Sequence, residues 1–172
     1  GLCPGAGCPA KGSMTSTTAQ STLALSHASG DDLDAVMSIM NTAFDTQFGE
    51  AWTRAQCAGI LPMSGVRLTL ARLGDRPIGF SLMRHVADEA ELLLIAVAPE
   101  SRGTGVGSAL LVRFVEDAAA AGASRLHLEV RDGNEAVNLY DRHCFKIEGR
   151  RSKYYRGQDG RQFDALTMVR LL

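Results

Sequence analysis

No run of this sequence is both long and apolar. The longest, Leu92 to Ala98, falls far short of the roughly 20 residues a helix needs to cross a bilayer, so no membrane association is expected. Charge of one sign is not in excess either. The 18 Lys and Arg set against 19 Asp and Glu leave a formal charge of -1 over 172 residues, which gives no global electrostatic reason to expect a nucleic-acid partner. Cysteine is scarce and unpatterned: Cys3, Cys8, Cys57 and Cys144 have no framework spacing and read as free thiols of a reducing compartment, the cytoplasm. Cys3 and Cys8 with His27 make only an incomplete ligand set, and no metal is expected. The N-terminus lacks the apolar segment of a secretory signal. Residues 1–21 read as a disordered or vector-derived tail, since Gly12-Ser13-Met14 has the form of a cloning junction. Residues 22–172 are of a size to form one domain.

What is present is a regular alternation of element types. Leu33, Val36, Met37, Met40 and Phe44 keep helical spacing behind Asp31 as N-cap, after a short strand at residues 22–26. A weaker helix is expected over residues 52–61, closed by Pro62 and the turn at Ser64-Gly65. Strand-like runs follow at residues 66–73, 77–86 and 90–97, and the tight links between them imply antiparallel neighbours. A glycine-rich loop then opens a helix with an apolar stripe of Leu111, Phe114, Val115 and Ala118, before another strand at residues 125–131. Strand, helix and strand make a right-handed crossover with parallel strands. A helix at residues 135–143 and strands at 145–155 and 162–171 complete an α+β chain: a mixed, mostly antiparallel sheet with helices on both faces.

The loop carries the sharpest chemical signal. Arg102-Gly103-Thr104-Gly105-Val106-Gly107-Ser108 lies between a strand and a helix start. Glycines without Cβ let a ligand lie against the backbone, and the first-turn N–H groups of the helix have no helical partners, so the segment suits an anion such as a pyrophosphate. A P-loop fails for want of Gly-Lys-Ser/Thr, and a dinucleotide fingerprint meets Ser108 where its third glycine belongs. RxxGxG, from Arg102, Gly105 and Gly107, fits.

In that motif and in the order of elements around it, the chain resembles the GNAT superfamily of N-acetyltransferases. Leu128-Glu129-Val130-Arg131, Asn134, Leu139-Tyr140 with Phe145, Tyr154-Tyr155, and Asp164-Ala165 with Met168 are similar to the bacterial ribosomal-protein-alanine N-acetyltransferases, and Trp52-Thr53 is similar to the Trp-Ser of their first helical region. The resemblance implies acetyl-CoA as co-substrate. It implies backbone of Ile95, Ala96 and Val97 along the pantetheine, and Arg102, Gly103, Thr104, Gly105, Val106, Gly107 and Ser108 around the pyrophosphate. Asn134 would meet the acyl-CoA arm, although it stands six residues before Tyr140 where the family has seven, leaving Gly133 as an alternative for that slot. Glu129 is implied as general base and Tyr140 as general acid. Tyr154 and Tyr155 would bind a peptide acceptor, the N-terminus of a ribosomal protein, and the enzyme would act as a monomer.

The residues support this chemistry and leave alternatives open. His127, Glu129 and Arg131 alternate with Leu126, Leu128 and Val130, so one strand face is ionisable, as a water-lined cleft or a solvated face requires. Deprotonating an α-amine at neutral pH costs about 1 kcal/mol against roughly 4.6 for a lysine, so a carboxylate base suits an N-terminal amine. Tyr140 also reads as a core aromatic. Alternation sends Tyr154 and Tyr155 to opposite faces. Arg150, Arg151 and Lys153 read as a solvated basic run. Cys144 beside His143 makes no nucleophile pair, because adjacent helical residues do not face each other. Cys144 also takes the place of a family glycine at the helix end. A lysine or small-amine acetyltransferase, or a silent acyl-CoA-binding module, are the competing readings.

Overall fold

The computed structural model describes residues 22–172. The expected N-terminal tail, with Cys3 and Cys8, lies outside the described residues. The elements run β1 (Leu23–Ala28), α1 (Leu33–Ala43), α2 (Arg54–Ile60), β2 (Val66–Leu73), β3 (Arg76–Val86), β4 (Glu89–Val97), α3 (Val106–Ala120), β5 (Arg125–Arg131), α4 (Ala136–Arg142), β6 (Lys146–Arg156) and β7 (Gln162–Leu171). The seven strands form one sheet in the order β1-β2-β3-β4-β5-β7-β6. Among the described residues β4 and β5 are the one parallel pair, joined through α3.

The start of α1 differs in detail from the sequence expectation. Ser29, rather than Asp31, is the capping residue: its hydroxyl accepts from Asp31 N while the Asp32 carboxylate accepts from Ser29 N, and a short 3-10 turn leads into the helix at Leu33. The weaker second helix is set by Thr53 and Gln56, which form a reciprocal capping box.

Helices α1 and α2 bury Val36, Ile39, Met40 and Cys57 against Leu68, Leu70, Phe80, Leu82, Leu94 and Ala96. On the opposite face α3 and α4 bury Leu111, Phe114 and Tyr140 against Ala90, Leu92, Leu126, Leu128 and Met168. Strand β4 thus contributes Ala90 and Leu92 to one core and Leu94 and Ala96 to the other, although all four are even-numbered. Its pairing with β3 explains this. Leu82 faces Leu94 and Met83 faces Leu92, so Leu93 is an extra residue, a β-bulge that reverses which side chains point to which face.

The bulge falls where the sheet opens. Strand β5 pairs with β4 only from Glu89–Arg125 to Leu92–Leu128, and beyond that point it follows β7 as far as Arg131–Ala165. Leu93 to Val97 therefore keep β3 on one side and lose their strand partner on the other, leaving backbone groups aimed into a wedge between β4 and β5.

Candidate active site

The wedge is the floor of a cleft enclosing about 130 Å³, lined by Leu92 to Ile95 of β4, Glu129 and Val130 of β5, Asn134, Ala136 and Tyr140 at α4, and Tyr154 and Tyr155 of β6. Phe44, Glu50 and Trp52, from the connection between α1 and α2, form its remaining wall. Glu91 also lines it, so three carboxylates reach the cleft, and the lining includes no Lys, Arg or His.

The ionisable face of β5 looks into this space because α1 and α2 pack over β1 to β4 and leave β5 outside their cover. Glu129 is held at both oxygens: Thr167 Oγ1 donates to Oε2 at 2.8 Å and Arg151 Nε lies 3.1 Å from Oε1. Its side chain is only 8% exposed. One step earlier on the same face His127 pairs with Glu91 across the parallel strands, Nε2 to Oε2 3.7 Å. That pairing holds the imidazole pKa above its usual value, against the opposing effect of burial.

Tyr140 is both a core aromatic and a cleft residue. Its ring packs edge-on against Phe145 with centroids 6.2 Å apart, and its residue surface is 5% exposed. Burial, with Glu50 as a secondary cause, pushes the phenol pKa well above the usual tyrosine value, so the phenol is neutral at rest. The helix that presents it ends in a Schellman motif, with Phe145 N donating to Tyr140 O and Cys144 N to Asp141 O. Cys144 takes the left-handed conformation, φ +68°, that a glycine would adopt without strain.

Tyr154 and Tyr155 do not diverge as strict alternation would send them. Between Arg151 and Tyr155 the β6–β7 register shifts, and Lys153 sits at φ +54°. Both rings therefore line the cleft, edge to face with centroids 4.9 Å apart. The Tyr155 hydroxyl donates to the backbone carbonyl of Glu129 at 3.2 Å.

At the far end of β4 the glycine-rich loop enters α3. Gly103 and Gly105 adopt φ of +73° and +89°, and a Cβ on either would meet nothing within 4 Å, so their backbone is open to an approaching group. Thr104 Oγ1 donates to Ser101 O, tightening the turn. Ser108 Oγ lies 2.7 Å from His143 Nε2 at the end of α4. The Arg102 guanidinium donates to Ala43 O at 2.6 Å, tying the loop to the end of α1. Val106 is buried beneath the loop. These features fit an acyl-CoA: an unpaired strand edge for its amides, and an open N-terminus of a 15-residue helix for its pyrophosphate.

Asn134 is placed differently from a free ligand contact. Its Oδ1 accepts from Ala136 N at the start of α4, and its Nδ2 donates to Glu50 Oε2 at 2.7 Å. Glu50 is the site residue that the sequence reading did not single out. Its other oxygen pairs with Arg131 Nε at 3.1 Å, and its side chain is 10% exposed. The nearby signal was Gly49, whose φ of +68° and contact with the Arg156 backbone dock this segment on the β6–β7 hairpin. No group of three His, Cys, Asp or Glu among the described residues is arranged to hold a metal ion.

Strand edge, glycine loop and the split between β4 and β5 together define an acyl-CoA-dependent transferase of the GNAT type. The chain belongs to the acetyltransferase (GNAT) family, whose sequence model matches residues 33–145. A ribosomal protein bS18-alanine N-acetyltransferase from Haemophilus influenzae is 36% identical over 92 residues, 54% of this chain and 63% of that relative. The chain thus spans less than two thirds of that relative's length. The enzyme of the same name from Salmonella typhimurium is 33% identical over 144 residues, 77% of this chain and 95% of that one. The crystal structure of the ribosomal-protein-S18-alanine N-acetyltransferase from Escherichia coli superposes with a TM-score of 0.76 at 28% identity, covering 86% of this chain and 92% of that one.

Proposed function

We propose that residues 22–172 act as one unit that transfers the acetyl group of acetyl-CoA to the N-terminal α-amine of a protein, with a ribosomal-protein alanine as acceptor. The observation that carries this reading is the cleft itself: an unpaired strand edge and a neutral tyrosine on one side of the split, and carboxylates with two tyrosines on the other. The relatives named for bS18-alanine acetylation support the choice of acceptor. We take the unit to act as a monomer, and a cytoplasmic setting follows from a ribosomal acceptor.

Bound acetyl-CoA supplies a thioester activated toward an amine nucleophile. The backbone of Ile95, Ala96 and Val97 would hold its amides, and Gly103, Thr104, Gly105, Val106, Gly107 and Ser108 its pyrophosphate. Arg102 would add positive charge at the rim of that loop, and Asn134 would orient the α4 end of the wedge. Glu129 takes the proton the amine loses as the new C–N bond forms, directly or through one water. Tyr140 holds a proton at its phenol oxygen for the sulfur that departs. Tyr154 and Tyr155 flank the acceptor backbone at the mouth.

Steady-state kinetics on an acceptor panel tests the reading. A peptide beginning with Ala should give the highest kcat/KM, well above free lysine, a polyamine or an aminoglycoside. A small amine that outperforms the peptide would replace this reading with a small-molecule acetyltransferase. Acetyl-CoA binding without turnover on any acceptor would replace it with a silent binder.

A further inference from the structure

Glu50 occupies the cleft wall opposite β5 and belongs to none of the motifs that define the cofactor side. Its carboxylate is nearly enclosed, yet the two oxygens are used unequally. Oε1 faces the charged Arg131 Nε at 3.1 Å, whereas Oε2 accepts only from the neutral amide of Asn134 at 2.7 Å. A carboxylate offers about four lone-pair sites, so Oε2 retains acceptor capacity on a cleft-lining residue. Arg131 does not line the cleft. Its guanidinium stacks over the Phe48 ring at 3.7 Å and gives Nη1 to Asp132 O.

The position is built rather than accidental. Phe48 packs edge-on against Phe163 at 5.3 Å, Gln158 N donates to Thr46 O, and a Cβ on Gly49 or on Gly157 would collide with backbone of the facing segment. This anchors Glu50 between the two tyrosine groups of the site. Its charge is felt by Tyr140 on the cofactor side and, together with that of Glu129, by Tyr155 on the acceptor side.

We propose that Glu50 is the specificity residue that recognises the acceptor as a cation, its Oε2 accepting an N–H of the protonated amine as it enters, while Glu129 keeps the role of base. An α-amine with a pKa near 7.7 to 8.0 is mostly protonated at neutral pH, so the arriving group is an ammonium that gives one proton to water before its nitrogen attacks, the second passing to Glu129 as the C–N bond forms. Removed from water in a cleft lined by Glu50, Glu91 and Glu129, each already backed by Arg131, His127 or Arg151, it finds the spare acceptor sites of Glu50 Oε2 for a charge-assisted hydrogen bond, whereas an uncharged analogue makes only a neutral one. This inference rests on the proposed α-amine acceptor.

The sole tryptophan of the chain, Trp52, lines the same cleft and gives an optical signal of acceptor binding without turnover. Two peptides are titrated in the presence of CoA: one with an N-terminal Ala, the other identical except for a hydroxyl in place of the α-amine. The wild-type chain should bind the amine peptide at least about tenfold more tightly at pH 6.5, and the ratio should decline as pH passes the amine pKa. Glu50→Gln should bring the ratio close to one while the hydroxyl peptide binds as before, and Glu50→Asp should keep part of the preference. A wild-type ratio near one, or one independent of pH, overturns the proposal without recourse to a variant. So does equal weakening of both peptides in Glu50→Gln, which marks a structural role, or loss of the preference only in Glu129→Gln. If the wild-type chain acetylates a lysine or a small amine and not the peptide's α-amine, the proposed function fails first, and that outcome is read by mass rather than by fluorescence.

Discussion

Glu129 and Tyr140 both line the wedge, and the role proposed for Glu129 is open to a direct test. Glu129→Gln keeps the Thr167 contact in reach while removing proton-accepting power. It should lower kcat by about 100-fold or more with the KM for acetyl-CoA little changed. A variant within a fewfold of wild type would move the base elsewhere in the cleft, with Glu50 the next to test. His127 gives a pH signature. Its folded pKa is raised by Glu91, so the pair contributes stability in full below the ordinary histidine value of about 6.5 and loses it as pH climbs through the elevated one. Urea unfolding of the wild type and of Glu91→Gln should therefore differ most on the acid side, and NMR titration of the variant should find the His127 pKa lower. Glu129, Tyr140 and the glycines could be singled out as candidates in the sequence because motif and spacing are local. Glu50 was not, because its neighbours Arg131 and Asn134 lie 81 and 84 positions away.

Elements were legible where periodicity was unbroken. The strands at 125–131 and 162–171 match the sequence reading residue for residue. Irregularities were not, since a bulge leaves no mark in composition: the extra residue at Leu93 and the shift before Tyr155 decide which side chains enter the cleft. At the end of α4, Cys144 adopts φ +68° without being a glycine. Cys144→Gly should stabilise the fold by about 1 kcal/mol in chemical denaturation and leave the reaction unaffected. Gly49→Ala should do the opposite. A Cβ there would overlap the Arg156 carbonyl at φ +68°, so a loss of roughly 2–4 kcal/mol is expected, along with weaker acceptor binding as Glu50 is displaced.

Across the whole molecule, one sheet carries buried core on both faces, in three clusters. The β1–β4 half takes α1 and α2, the β5–β7 half takes α4, and α3 spans the junction. The split where β4 leaves β5 is where these halves part, and the cleft lies along it. The family and the parallel crossover could be read from order and motif, but the depth of the cleft and its three carboxylates arise from long-range packing. The central claim, transfer to an α-amine, is tested most directly by mass spectrometry with acetyl-CoA and two peptides that share an internal lysine. One has a free N-terminal Ala and the other is N-terminally blocked. Acetylation confined to the free peptide, mapped to its first residue, is the predicted result. Equal acetylation of the blocked peptide at lysine would contradict the account.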